Sequence, residues 1–405
     1  MILFRPTRLS VLLFMTLMAM SCAEDTGPED GAGAASDEAI AEIPTPNLPT
    51  SPVEEPTVDP VVDPTTDPVV DPTDPTDPTD PTDPTDPSVP CLAEAGCFNT
   101  FPTQIVDTTV GGTRTFAAYS CRPETNESGP ERLYRLDLPY AGFLAIEVTD
   151  EGAGADIDAH LLLENDAETC MDRGNLAAGA YLEAGTYWVA ADSWVDDEGI
   201  EYAGDFELSI NLVRPEDLSA AGMNLEMAKD ALTAFRTSWQ RSETKRFEYT
   251  ITDFSMHSRL KRQWVIQLAT GELLYNLTVG HGVASIVGDD LGFSSVFSNT
   301  PESHQSSLGL IRTAETYTGD YGYSLRLDGL EPGFNDKVRD RFIVVHPWYG
   351  NRVETVATEG WVVPTWGCAT IDPVVSEAVI NTISGGSLMF FWYPDTAWRN
   401  ASTYL

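Results

Sequence analysis

Basic residues are scarce. The 405-residue chain has 23 Lys and Arg against 63 Asp and Glu, a formal net charge of -40. So acidic a surface repels phosphate backbones and anionic bilayers, which excludes nucleic acid as a partner. Histidine is rarer still, at five residues, and no His-Glu-x-x-His, Walker loop or Gly-x-Ser-x-Gly occurs. Zinc-protease, P-loop and serine-hydrolase chemistry therefore drop out. Cysteine is sparse and uneven: of six, four stand at Cys91, Cys97, Cys121 and Cys170, and after Cys170 only Cys368 occurs in 235 residues. Long apolar runs are also missing. The stretch 9–20 is too short to span a bilayer comfortably as a helix.

What is present begins with an export signal at residues 1–22, in which Arg5 and Arg8 precede that apolar stretch. Ala19-Met20-Ser21-Cys22 resembles a bacterial lipobox, which implies lipidation of Cys22, a membrane anchor, and an exported lipoprotein facing periplasm or cell surface. Met20 and Ala19 depart from the residues usual at those positions. Residues 23–90 then carry 18 acids and no Lys or Arg, with Asp-Pro at Asp59, Asp63, Asp67 and Asp71, and again at Asp74, Asp77, Asp80, Asp83 and Asp86. Proline removes backbone donors and like charges three or four apart repel, so a disordered tether is expected. Fully extended at about 3.1 Å per residue, it reaches roughly 200 Å.

Short apolar alternations at 113–119, 132–138, 142–148, 159–163, 185–191 and 204–212, broken by turn residues, indicate a β-sandwich over residues 91–213. In an oxidising compartment its four cysteines form two disulfides, and three pairings are open. They lack the Cys-x2-Cys spacing of zinc sites, so no metal is expected there. Asp156, Asp158, Asp196, Asp197 and Glu198 offer oxygens of the kind calcium takes. With 23 acids against 5 Arg in this region, however, acidic pairs arise by chance and the simplest reading is solvated carboxylates. His160, on an apolar strand, reads as a packing residue. The segments 185–191 and 204–210, with Ala155-Asp156-Ile157-Asp158-Ala159-His160-Leu161, resemble the bacterial pre-peptidase C-terminal (PPC) domain, an accessory module of exported enzymes.

Residues 214–405 open with a helix: Leu225, Ala228, Leu232, Phe235 and Trp239 share one face, and Asn224 is its cap. Strands are expected at 247–254, 262–268 and 273–279, with Thr270-Gly271 as a hairpin turn, and at 308–316, 324–327, 341–346 and 387–393. The whole chain is thus expected to be mainly β.

Several separated segments agree in order with one family: Lys261-Arg262-Gln263-Trp264-Val265-Ile266, Val279-Gly280-His281-Gly282, Phe297-Ser298-Asn299-Thr300, Gly322 to Glu331, Val345-His346, Trp366-Gly367-Cys368 and Gly385-Gly386-Ser387-Leu388. This resembles the YkuD-type murein L,D-transpeptidase catalytic domain, in the branch whose signature ends in Ser-Trp-Gly-Cys. Thr365 stands here for that Ser. The resemblance implies Cys368 as nucleophile, His346 as base and the amides around Gly367 as oxyanion donors. It implies peptidoglycan stem peptides as substrate, with no cofactor. The acyl acceptor is an amine, or water in an L,D-carboxypeptidase; a silent surface protein that binds wall or protein is the rival from another class. Trp366, His281 and His304 are candidates for the substrate cleft. Arg326, beside Ser324, either grips a substrate carboxylate or pairs with Asp328, Glu331 or Asp340. Cys-first peptidase families fit less well, because His346 precedes Cys368 by 22 residues.

Overall fold

The computed structural model describes Cys91 and residues 96–405. The signal segment, Cys22 and the acidic tether lie outside the described residues. The disulfides pair Cys91 with Cys97 and Cys121 with Cys170.

The first half of the described chain is two facing sheets. One contains β1 (Cys97–Phe98), β3 (Glu131–Leu138), β5 (Ile157–Leu162), β6 (Cys170–Gly174) and β8 (Gly185–Ser193), in the order β1-β3-β8-β5-β6. The other contains β2 (Thr103–Thr108), β4 (Gly142–Glu151), β7 (Ala177–Leu182) and β9 (Asp205–Val213), in the order β2-β9-β4-β7. Successive residues of a strand face opposite ways, and the inward set, including Leu136, Leu144, Ile146, Leu161, Val189, Leu208 and Ile210, fills the space between the sheets.

The segment 113–119 is not a strand, contrary to its alternating pattern. It makes two isolated bridges only, Thr113 to Glu131 and Tyr119 to Arg122. The buried Glu131 carboxylate accepts from Thr113 Oγ1 and from the Thr115 amide at 2.8 Å, so a side chain does the work a neighbouring strand would do.

Helix α1 (Pro215–Ala220) leads into α2 (Leu225–Gln240), where Asn224 Oδ1 accepts from the Glu226 and Met227 amides. Ala228, Leu232, Phe235 and Trp239 are buried as a stripe, while Leu225, expected in it, is exposed. Eight strands follow: β10 (Glu248–Asp253), β11 (Gln263–Gln267), β12 (Glu272–Leu277), β13 (Gly309–Gly319), β14 (Gly322–Gly329), β15 (Val344–Pro347), β16 (Ala369–Ile371) and β17 (Leu388–Trp392). They form one sheet ordered β12-β11-β10-β17-β13-β14-β15-β16. The run Leu-Met-Phe-Phe-Trp of β17 is buried throughout, as suits a strand covered on both faces at the centre of the sheet. Helices α3 (Val353–Glu359), α4 (Ser376–Ile383) and α5 (Thr396–Ala401) complete the chain.

The sandwich and this sheet share a core. Phe143 of β4 meets the rings of Phe235, Trp239 and Phe247 at 5.2, 5.9 and 6.5 Å. Around that contact Trp239 Nε1 donates to Asp172 at 2.8 Å, and Asn211 Nδ2 donates to the Leu268 carbonyl at 2.7 Å. The aromatic burial drives the contact and the hydrogen bonds fix its register.

Candidate active site

Parallel pairing of β15 with β16 sets His346 opposite Thr370, and Cys368 immediately precedes β16. The two side chains therefore arrive on neighbouring strands at the sheet edge. Ahead of Cys368 the chain makes a tight turn at Gly367, with φ +123. A Cβ there would sit 2.7 Å from the Gln305 carbonyl oxygen and 2.8 Å from Ile343 Cδ1, so only glycine fits. Thr365 clamps the turn: its Oγ1 accepts from the Gly367 amide at 3.1 Å and donates to the Cys368 carbonyl at 3.0 Å. The Gly367 amide is thereby taken up locally and is not one of the two oxyanion donors that the family resemblance suggested.

Cys368 is buried, outside both disulfides, and its thiol donates to the Phe342 carbonyl at 3.6 Å. Phe342 reaches that position with φ +53, a conformation that side-chain-bearing residues seldom adopt and that clusters at functional sites. His346 is buried, with Nδ1 2.9 Å from the Pro347 carbonyl. A carbonyl only accepts, so Nδ1 carries a proton, which leaves Nε2 as the acceptor position of the neutral tautomer. Nε2 is buried and makes no hydrogen bond. Tyr321 stacks on the imidazole at 4.5 Å and Trp348 meets it edge-on at 6.2 Å, fixing the plane of the ring.

Arg341 is a site residue that sequence reasoning passed over. Its guanidinium donates to the Ser298 and Gln305 carbonyls at 2.6 Å each, to Ser307 Oγ at 2.7 Å and to Ser303 Oγ at 3.1 Å, tying residues 298–307 to the segment that leads into β15. Burial pulls its pKa below the ordinary value, while the charge of nearby Cys368 acts the other way. His304, at φ +54, stacks on Trp366 at 4.2 Å with the planes 9° apart, so an aromatic pair flanks the turn.

Three candidates take other roles. His281 is fully buried and its Nδ1 lies 2.8 Å from Arg262, which can only donate. Burial and that guanidinium hold its pKa well below the usual range, and its carbonyl accepts from the Thr365 amide at 2.9 Å. It supports the turn from behind and does not line a cleft. Arg326 pairs at 3.4 Å with Glu315 of the adjoining strand, rather than with the acids expected, and lies 4.2 Å from the Tyr317 ring. Ser324 is buried and donates to the Gly322 carbonyl. Among the described residues, the clusters of three or more ligand-type side chains close enough to share an ion lie in the sandwich and none includes Cys368.

Residues 219–392 match the L,D-transpeptidase catalytic domain. That segment runs from α1 to the end of β17 and contains both His346 and Cys368. Among solved structures, an L,D-transpeptidase from Stackebrandtia nassauensis is similar at 12% identity over 42% of this chain and 67% of its own, with a TM-score of 0.24. An L,D-transpeptidase from Mycobacterium smegmatis is similar at 11% identity over 62% of this chain and 82% of its own, also with a TM-score of 0.24. No curated protein matches the chain.

Proposed function

We propose that the chain is an exported cysteine L,D-transpeptidase that acts on peptidoglycan stem peptides, with Cys368 as nucleophile and His346 as base. The observation that carries this reading is the fixed tautomer of His346. An imidazole whose Nδ1 proton is held by a carbonyl offers Nε2 as the proton acceptor, on the strand paired with the one that Cys368 leads into, within the segment that matches the family.

His346 Nε2 takes the Cys368 proton, and the thiolate adds to the carbonyl carbon between an L- and a D-centre. Backbone N–H groups near Cys368 stabilise the oxyanion; Gly367 contributes the clearance rather than a donor. As the tetrahedral species collapses, the C–N bond breaks and the departing D-residue's amine takes the proton back from His346, leaving a thioester. An amine of a second stem then gives its proton to His346 and attacks the thioester, and the thiolate leaves and is reprotonated. The stacked His304–Trp366 pair and Arg341 hold the walls of this site.

Two disulfides in the sandwich suit an oxidising compartment, which supports export. In the same reading Cys22 is lipidated, residues 23–90 tether the enzyme away from its membrane, and the sandwich is a PPC-like accessory module. Incubating the purified protein with disaccharide-tetrapeptide stems and weighing the products tests the function. A cross-linked dimer lacking one D-residue, with a transient acyl adduct at Cys368, is the expected result. Hydrolysed tripeptide alone would make water the acceptor. Unchanged stems, with no acylation of Cys368 by a carbapenem, would overturn the reading.

A further inference from the structure

On the sandwich, a surface pocket of about 440 Å³ lies between the segment 122–126, the start of β5 and the turns that follow β6 and β8. Its size falls within the ~300–1,000 Å³ of small-ligand sites. Three acceptors line it, Asp156, Asp158 and Asp197, together with three donors, the side-chain amides of Asn126 and Asn175 and the indole N–H of Trp194. Among the described residues Asn126 Nδ2, the Asn175 amide, the Trp194 indole nitrogen and the Asp197 carboxylate make no hydrogen bond. These groups are open to a ligand.

The lining is set before anything binds. The Cys121–Cys170 disulfide pins one end of the segment 122–126, and at the other the Val195 amide donates to the Asn126 carbonyl at 3.0 Å. Trp194 donates its amide to the Asp156 carbonyl at 3.1 Å and rests on the Tyr202 ring at 5.1 Å with the planes 27° apart, so its orientation is fixed. Beneath them Arg173 Nη2 lies 2.5 Å from Asp158 Oδ2 and 3.3 Å from Glu127 Oε1. Burial and the nearby Asp158 carboxylate raise the Glu127 pKa to about 9, so Glu127 keeps its proton and hydrogen-bonds Asp158. This floor is satisfied from within and calls for no ion. A lining so ordered loses little side-chain freedom on binding.

The mixture of groups selects the ligand. With Glu124, the acids of the lining outnumber Arg122 and Arg173, and the negative balance repels phosphates and carboxylates. A bare cation or an ammonium would meet the acids but leave the amide and indole donors facing it. Hydroxyls donate and accept at once, so they satisfy both sets, and the C–H face of a sugar ring packs on an indole. We propose that this pocket binds a neutral pyranose glycan. Under the proposed function that glycan is the strand that carries the stem peptides, a step that rests on that reading.

The test uses the purified full chain with its disulfides intact and carrying Cys368→Ala, titrated by calorimetry with the N-acetylglucosamine tetrasaccharide, which is neutral and carries no stem. Saturable binding of one tetrasaccharide per chain is expected. Trp194→Ala should weaken it at least about tenfold. Asn175→Ala, at an exposed position, should weaken it roughly three- to tenfold, while Lys229→Ala, exposed on α2, leaves it unchanged. If Trp194→Ala does not fold by circular dichroism, Asn175→Ala decides. No saturable binding, or binding that Trp194→Ala and Asn175→Ala leave unaltered, would overturn the site. Acyl transfer is read separately, on stem peptides with Cys368 in place: transfer without glycan binding strikes the pocket alone, and glycan binding without transfer strikes the catalytic reading alone.

Discussion

Two buried histidines of this protein sit in opposite surroundings. His346 is held by one carbonyl on Nδ1 and flanked by neutral groups, the Tyr321 and Trp348 rings. His160 has no hydrogen bond on either nitrogen and faces two carboxylates and a guanidinium. Both are sealed from water, so burial alone does not assign the role. The group on the other nitrogen does. A carbonyl on Nδ1 leaves Nε2 as the acceptor of the neutral ring, whereas His160, with no hydrogen bond on either nitrogen, is held by its stack on Tyr119.

The largest effect should come from Cys368, the proposed nucleophile. Cys368→Ala is expected to lower acyl transfer by at least about 10⁴-fold with the fold intact, checked by product mass and circular dichroism. Next comes the contrast between the two histidines. His346→Ala should slow alkylation of Cys368 near neutral pH by roughly 10²- to 10⁴-fold and move its pH profile toward that of an ordinary thiol near ~8.5. His160→Gln should leave the alkylation rate unchanged. Equal slowing by both substitutions would break the comparison.

The seam between the two regions gives the third expectation. Phe143→Ala opens a cavity among Phe235, Trp239 and Phe247 and should cost about 3–5 kcal/mol in denaturant unfolding. The smallest effect concerns Glu147, which lies on the same seam and accepts from Gln267. Burial, reinforced by Glu248, raises its pKa from 4.5 to about 7. The folded state therefore keeps a proton that the unfolded chain releases, so this group's contribution is fully present below the unfolded value and declines as pH rises toward about 7. Glu147→Gln should flatten the melting temperature between pH 4 and 8.

Most of the architecture was legible because it rests on local pattern. The Asn224 cap and the stripe of α2 follow the helical period, and the glycine-punctuated strands follow the period of two. The segment 113–119 misled because Thr113 and Thr115 bond to a carboxylate sixteen or more residues away. Strand β7 was passed over because its alanine-rich sequence shows no alternation. At the site, Cys368, His346, Gly367, Trp366 and His304 were named from sequence; the chain stacks His304 on Trp366 and pairs the strand of His346 with the one that follows Cys368. Arg341 and Tyr321 were not: Arg341 opened an expected strand, 341–346, that begins only at Val344, and nothing local marks either residue. Glu127 was hidden differently: among 23 acids in that region, sequence does not tell which are interior, whereas His160 was read as a packing residue and is buried.

The aromatic seam has one more consequence. Because Phe143 is packed into the same dry interior as Phe235 and Trp239, the sandwich serves the catalytic half as a bracket rather than as an arm on a hinge. Whatever grips the sandwich also sets the compass bearing of the turn that carries Cys368. Cut free of that bracket, the C-terminal half would present a face of large rings to water, so the two halves are expected to survive proteolysis, or fail it, together.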